Sequence, residues 1–185
     1  MFVTDPDRTP DPVRIAQGLP RGTGVIYRAF GAAEALDTAR ALRRVCDARG
    51  LMLLIGADAP LAAASRADGV HLPERALWSA PRLRALKPLW LITGAAHSPR
   101  ALAQAAAAGL DAALLSAVFA SRSPSAKRPL GTVRFAQMVH SARLPVYALG
   151  GVNLVTARRL AASGAVGLAA VDGFCGPGPR LAPAT

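Results

Sequence analysis

Short apolar runs alternate along the chain with longer stretches that mix alanine, leucine and arginine at helical spacing. The runs are Phe2-Val3-Thr4, Val25-Ile26-Tyr27, Leu51-Met52-Leu53-Leu54-Ile55, Gly69-Val70-His71-Leu72, Leu89-Trp90-Leu91-Ile92-Thr93, Ala112-Ala113-Leu114-Leu115-Ser116, Pro145-Val146-Tyr147-Ala148-Leu149 and Gly167-Leu168-Ala169-Ala170-Val171. Near-continuous apolar runs of this length predict strands buried on both faces. Between them, residues 32–49 place Leu36, Ala39, Leu42, Val45 and Cys46 at three-four spacing, which predicts an amphipathic helix ending at Gly50. Ser98 before Pro99 is an N-cap signature, and Gly109 closes that helix. Further helices are expected over 132–142 and, opening on Asn153, over 153–163, with shorter ones over 12–19 and 59–66. Strand and helix repeated in this way predict parallel strands joined by right-handed crossovers. Eight repeats point to an α/β fold of the (β/α)8 TIM-barrel type rather than an open sheet.

Length and tail modify that expectation. The chain has 185 residues, short against the roughly 200 to 400 of most such barrels. Gly173, Gly176, Pro177, Gly178, Pro179 and Pro183 crowd the segment after the eighth run. That composition disfavours a regular helix, so the last outer helix is expected to be missing or irregular. The expected organisation is a single barrel domain over 1–173 and an irregular Pro/Gly-rich tail over 174–185. The flank left open there would suit a second copy of the chain, which makes a homo-oligomer compatible with the sequence.

With 52% hydrophobic and 18% charged residues the composition is that of a globular chain. No long uncharged apolar run suggests a membrane span. Met1 leads straight into Phe2-Val3-Thr4-Asp5-Pro6 without the pattern of a secretory leader. Cys46 and Cys175 are too few for a disulfide framework or an all-cysteine zinc site. A cytoplasmic location is the expectation. The net charge of +11 suggests an anionic partner. Its arginines, however, sit in expected helices without interleaved aromatic residues, which favours a small phosphorylated metabolite over nucleic acid.

In a barrel of this kind ligands bind at the carboxyl ends of the strands. The residues following the runs are therefore the candidates: Thr4 and Asp5, then Arg28, Ala29 and Phe30, then Gly56, Ala57 and Asp58, then His71 through Glu74, then Ala95 to His97, and finally Asp172 and Gly173. Gly150-Gly151 lets the backbone approach a ligand closely, and Asn153 opens a helix whose amides would favour phosphate. The loop after the sixth run carries Ser121, Ser123 and Lys127, hydroxyls and a cation that could fold over an anion. A tight strand-helix turn and a solvated loop are the plain alternatives. His71 and His97 stand where a general acid or base could act, and His71 is the candidate proton shuttle. No His or carboxylate spacing marks a transition-metal site.

Taken in order, Phe2-Val3-Thr4-Asp5, Tyr27-Arg28, Ala67-Asp68-Gly69-Val70-His71-Leu72, His97-Ser98, Val118-Phe119, Ala148-Leu149-Gly150-Gly151-Val152 and Gly164-Ala165-Val166-Gly167 resemble the thiamine phosphate synthase/TenI family. The resemblance runs from Phe2 to Val171. It implies a (β/α)8 barrel of thiamine biosynthesis. Synthases of the family join a pyrimidine diphosphate to a thiazole phosphate with Mg²⁺ on the diphosphate; TenI-type relatives tautomerise thiazole phosphate without metal. Of the family's Gln-Leu-Arg-x-Lys stretch only Arg28 matches. Ile55-Gly56-Ala57 stands in place of Ile-Asn-Asp, with Asp58 one position late. The second Mg²⁺ carboxylate falls at Ala76, the synthase serine at Ala95 and the TenI histidine at Ala117. The thiazole-phosphate side fits better, through Gly150, Gly151 and the backbone at Val171, although Asp172 stands where the family has serine. The resemblance thus implies a thiamine phosphate synthase/TenI-like protein that binds a thiazole phosphate, with several synthase residues replaced. The alternatives are a TenI-like paralogue or a non-catalytic phosphate-binding barrel. No cofactor is assigned, and Mg²⁺ enters only if synthase activity is retained.

Overall fold

The computed structural model describes residues 1–121 and 128–174. Eight strands lie side by side in chain order: β1 Phe2–Val3, β2 Gly24–Tyr27, β3 Met52–Gly56, β4 Gly69–Leu72, β5 Leu91–Ala96, β6 Ala112–Leu115, β7 Val146–Ala148 and β8 Gly167–Leu168. Each neighbouring pair is parallel. Past β8, the Val3 amide donates to the Ala170 carbonyl at 2.9 Å and the Ala170 amide donates to the Met1 carbonyl at 3.0 Å, which brings the last strand round to the first. The fold is the short (β/α)8 barrel that the alternating pattern predicts. The helices between the strands are α1 Pro12–Gln17, α2 Ala35–Arg49, α3 Ala59–Ala64, α4 Ala80–Leu86, α5 Pro99–Ala107, α6 Gly131–Ser141 and α7 Leu154–Ala157, with 3-10 turns over Glu74–Ser79, Arg158–Leu160 and Asp172–Phe174.

Local chemistry fixes several of these boundaries. Asp11, Asp58 and Ser98 each accept a hydrogen bond from an amide in the first turn of the helix they precede, and each of these helices has a proline in that turn. Alternate strand residues divide between two environments. Val25, Leu53, Ile55 and Val70 pack outward with Ala39, Leu42 and Cys46 of α2, whereas Val3, Ile26, Leu54, Leu114 and Ala169 cluster inside the barrel. Burial pushes the Cys46 thiol up to about 11, which leaves it an inert core residue.

Three details differ from the sequence pattern. β5 begins at Leu91 and continues to Ala96, because Lys87 and Trp90 close a turn after α4 and leave Leu89 98% exposed. The helix expected from residue 32 begins at Ala35. The helix expected over 153–163 is a four-residue α7 that tightens into a 3-10 turn. β-branched Val155 and Thr156 weaken it, and the Ser163 hydroxyl donates back to the Leu160 carbonyl. The expected tail over 174–185 lies outside the described residues from 175 onward, as does Cys175. Among the described residues, no helix is long and apolar enough to cross a membrane.

The rim at the amino ends of the strands carries a repeated tie. Asp68, just before β4, accepts from the Leu53 amide at 2.7 Å and from Arg43 of α2 at 2.8 Å. Asp111, just before β6, accepts from the Ile92 amide at 2.6 Å and from Arg84 of α4 at 2.6 Å. Each carboxylate satisfies a strand amide and pins an outer helix to the sheet. The adjoining Gly69 is needed for space, since a Cβ there would strike the Leu91 carbonyl oxygen. Asp111→Ala is expected to cost about 2 kcal/mol and to lower the thermal midpoint by about 4–8 °C, read by differential scanning calorimetry.

Candidate functional site

The strand carboxyl ends open onto a cavity of about 900 Å³. On the side of β1, β2 and β8 its wall is ionic. Arg28, the residue after β2, donates through Nε to the Thr4 carbonyl at 2.6 Å and through Nη2 to Asp5 Oδ2 at 3.1 Å. Arg8 donates to the same Asp5 oxygen at 3.0 Å and reaches Asp172 Oδ2 at 3.5 Å. The hydrogen bond from Arg8, aided by the charge of Arg28, holds the Asp5 carboxyl below the usual carboxylate range. Burial pulls Arg28 down from its ordinary value, and Asp5 opposes that shift. The Arg28 stem lies close over Gly56, where a Cβ would stand 3.0 Å from Arg28 Cγ, and its guanidinium sits 5.2 Å from the centre of the Phe30 ring. Phe30 is 69% exposed at the mouth. Phe30 and Ala57 both line the cavity in left-handed backbone conformations, with φ of 49° and 62°.

Opposite chemistry meets at β4 to β6. His71 is buried, and its Nδ1 lies 2.9 Å from the hydroxyl of fully buried Thr93. Burial, helped by the charge of Arg28, pushes His71 from the ordinary 6.5 down to about 4. His97, beyond β5, is exposed. Its amide donates to Glu74 Oε2 at 2.9 Å, and its Nδ1 lies 2.9 Å from the Ser116 carbonyl and 3.1 Å from the Ser116 hydroxyl. A second hollow of about 980 Å³ lies outside this wall, between the Glu74–Ser79 turn and α5, and shares His97, Ala95, Arg75 and Pro73 with the cavity. The central cavity is the candidate site because every strand's carboxyl end converges there.

At β7 the turn Gly150-Gly151 has φ of 95° and 65°. The reason for glycine is partly different from the one the sequence suggests. A Cβ on Gly150 would stand 2.7 Å from Ala117 Cα, and one on Gly151 would strike the Ala120 carbonyl and stand 2.8 Å from Phe119 Cβ. The loop after β6 is strapped to this turn by Val118 N–H donating to Leu149 O and Phe119 N–H to Gly150 O, each at 3.0 Å. The glycines therefore permit loop-to-loop packing as well as lining the cavity. The start of α7 is closed by its own residues: Asn153 Oδ1 accepts from the Val155 and Thr156 amides, and the Thr156 hydroxyl accepts from the Asn153 amide. The amides of Gly150, Gly151 and Val152 have no partner among the described residues.

Of the residues singled out from sequence, Arg28, His71, Ser121, Gly150, Gly151, Val171 and Asp172 all line the one cavity. Ser123 and Lys127 lie outside the described residues. Sequence reasoning did not pair Asp5 with Arg8 and Arg28, and it did not see Glu74, His97 and Ser116 as a unit. The only signal for either was position after a strand; the partners are 23 residues apart along the chain for Arg28 and Asp5 and also for Glu74 and His97.

The family model for thiamine monophosphate synthase matches residues 1–174. The chain belongs to the thiamine monophosphate synthase/TenI family. Within this thiamine-biosynthesis family, a candidate thiamine-phosphate synthase of Geobacter sulfurreducens is 34% identical over 147 residues, covering 78% of this chain and 69% of that protein. A thiamine-phosphate synthase of Methanoculleus marisnigri is 30% identical over 152 residues, 82% of this chain and 72% of the relative. The solved thiamine phosphate pyrophosphorylase from Pyrococcus furiosus superposes with a TM-score of 0.80 at 24% identity, over 92% of this chain and 83% of its own, and supports the barrel fold of this family member.

Two outcomes test this geometry. Gly151→Ala is expected to cost about 2 kcal/mol or more through the left-handed backbone and the contact with Ala120, lowering the thermal midpoint by at least about 4 °C. For His71 the unfolded chain takes up a proton near pH 6.5 that the folded chain refuses until about pH 4. Its contribution to stability is intact above 6.5 and falls away as pH drops towards 4, by up to about 3 kcal/mol. Urea midpoints of wild type and His71→Gln from pH 7.5 to 4.5 should therefore show the steeper acid loss in wild type.

Proposed function

We propose that the cavity binds a phosphorylated thiazole, with the phosphate on the amides of Gly150, Gly151 and Val152, and does not carry out Mg²⁺-dependent coupling to a pyrimidine diphosphate. The observation that carries this reading is that Gly150, Gly151 and Val152 line the cavity while their main-chain amides have no partner among the described residues. An anion accepting several such N–H groups is well held. Val171 and Asp172 would border the phosphate. Ser121, which lines the cavity, would face it from the loop after β6. Arg28 and Phe30 would face the ring end, through charge and stacking.

Mg²⁺ asks for hard oxygen ligands, commonly one or two carboxylates with phosphate oxygens and water. The carboxylates at this rim already have donors. Asp5 is shared by Arg8 and Arg28, Asp172 meets Arg8, Asp58 accepts from the Leu61 amide of α3, and Glu74 accepts from the His97 amide. Gly56 and Ala57 offer no oxygen from the position where the family resemblance calls for Asn-Asp, and the Arg28 stem occupies the space above Gly56. These residues do not fit a Mg²⁺-diphosphate site, which favours a metal-independent, TenI-like or purely binding role within the family.

The partner in this reading is a small phosphorylated metabolite in the cytoplasm rather than nucleic acid. Arg43 and Arg84 support it, since they tie helices to Asp68 and Asp111 instead of presenting a basic stripe. Titration calorimetry with thiazole phosphate should give a dissociation constant below about 1 mM that Mg²⁺ leaves unchanged. Absence of heat would remove the binding reading, and thiamine phosphate formed from both substrates with Mg²⁺ would remove the metal-independent one.

A further inference from the structure

The hollow of about 980 Å³ outside the barrel wall has a chemistry of its own. Trp78, Arg100 and Gln104 line it and take no part in the central cavity. Trp78 is 79% exposed. Its Nε1–H donates to the Arg75 carbonyl at 3.1 Å, which satisfies the indole's one donor and leaves the ring for stacking or apolar contact. Arg75 and Arg100 line the same hollow, and both are exposed. Neither guanidinium has an ion-pair partner or lies over an aromatic ring among the described residues. Arg8, Arg28, Arg43 and Arg84, by contrast, each meet a carboxylate. Glu74, the carboxylate of this lining, accepts from the His97 amide.

We propose that this outer hollow is a second ligand site that binds a nucleoside phosphate, with the base on Trp78 and the phosphate on Arg75 and Arg100. Every base offers a flat π face, and indole is a good platform for it. Planar guanidinium forks match the geometry of phosphate oxygens. Gln104 stands one turn along α5 from Arg100 and carries both a donor and an acceptor for a base edge. Ala107 and Ala108 continue that face without filling it. The volume is that of a small-molecule site. A second copy presenting the same face would bring like charges together, and an apolar partner would bury two guanidiniums without a counter-charge. An anion with an aromatic ring meets both demands. The site stands whatever the central cavity binds, although Pro73, Arg75, Ala95 and His97 are walls to both.

The test uses ADP, titrated by calorimetry, with tryptophan fluorescence followed in Trp90→Phe, where Trp78 is the remaining indole. Wild type is expected to bind with a dissociation constant below about 1 mM, and the Trp78 emission to be quenched over the same range. Arg100→Ala and Trp78→Leu should each weaken ADP about tenfold, with thermal midpoints nearly unchanged because both side chains are exposed. Arg134→Ala, an exposed arginine on α6 outside both hollows, should bind like wild type. No binding of ADP overturns the proposal, and so does binding that survives in both Arg100→Ala and Trp78→Leu. Inorganic phosphate or adenosine binding as tightly as ADP overturns the nucleotide class, and an oligoglutamate peptide binding more tightly than ADP makes the hollow a peptide groove instead.

Discussion

A parallel sheet that closes on itself must deliver every strand's carboxyl end to one rim, and the rest of this molecule follows from that constraint. It is why Asp5 and Asp172, separated by nearly the whole described chain, meet on the single guanidinium of Arg8. It also explains a division of labour between the two ends of the barrel. At the amino ends, Asp68 and Asp111 spend their carboxylates on strand amides and outer arginines. Those bonds keep short strands in register. At the carboxyl ends the same residue types surround a cavity, where their bonds set charge and orientation instead.

The motif that looks most distinctive in sequence illustrates how closely the two roles interleave. In Ala67-Asp68-Gly69-Val70-His71-Leu72, Asp68 ties β3 and α2, Gly69 clears the Leu91 carbonyl, and Val70 sits in the outer core. Only His71 reaches the cavity. The Gly150-Gly151 turn is similarly double. Both glycines line the cavity, and their missing side chains let the loop after β6 lie against the turn through Phe119 and Ala120. A binding defect in a glycine variant would therefore carry a packing defect with it, and the amides are better probed by ligand chemistry than by substitution.

Most strands were legible because each is a short, largely buried apolar run, and two of the helices because Ser98 and Asn153 announce their first turns; the caps at Asp11 and Asp58 emerge only from the structure. Legibility failed where a tertiary contact decides the matter. Leu89 reads as the start of a strand, yet the turn that closes α4 throws it into solvent. The cavity lining was predictable from strand ends alone, since a residue after a parallel strand must face the rim. Its pairings were not. Nothing in the sequence says that Asp5 bridges two arginines, that Arg28 lies over Gly56, or that Glu74 holds the amide of His97, because each depends on where neighbouring loops settle.

Those pairings determine how charge is shared across the rim. Two guanidiniums and two carboxylates gather at β1, β2 and β8, so their charges largely cancel and an entering anion gains less from Arg8 and Arg28 than the overall charge of +11 suggests. Neutral amides at β7 suffer no such cancellation, and an anion seated there would not first have to break an ion pair. The positive edge of Arg28 has a further effect: it discourages charge on His71, already disfavoured by burial. A histidine kept neutral by burial, and further by the cation beside it, is poorly placed to hold a proton.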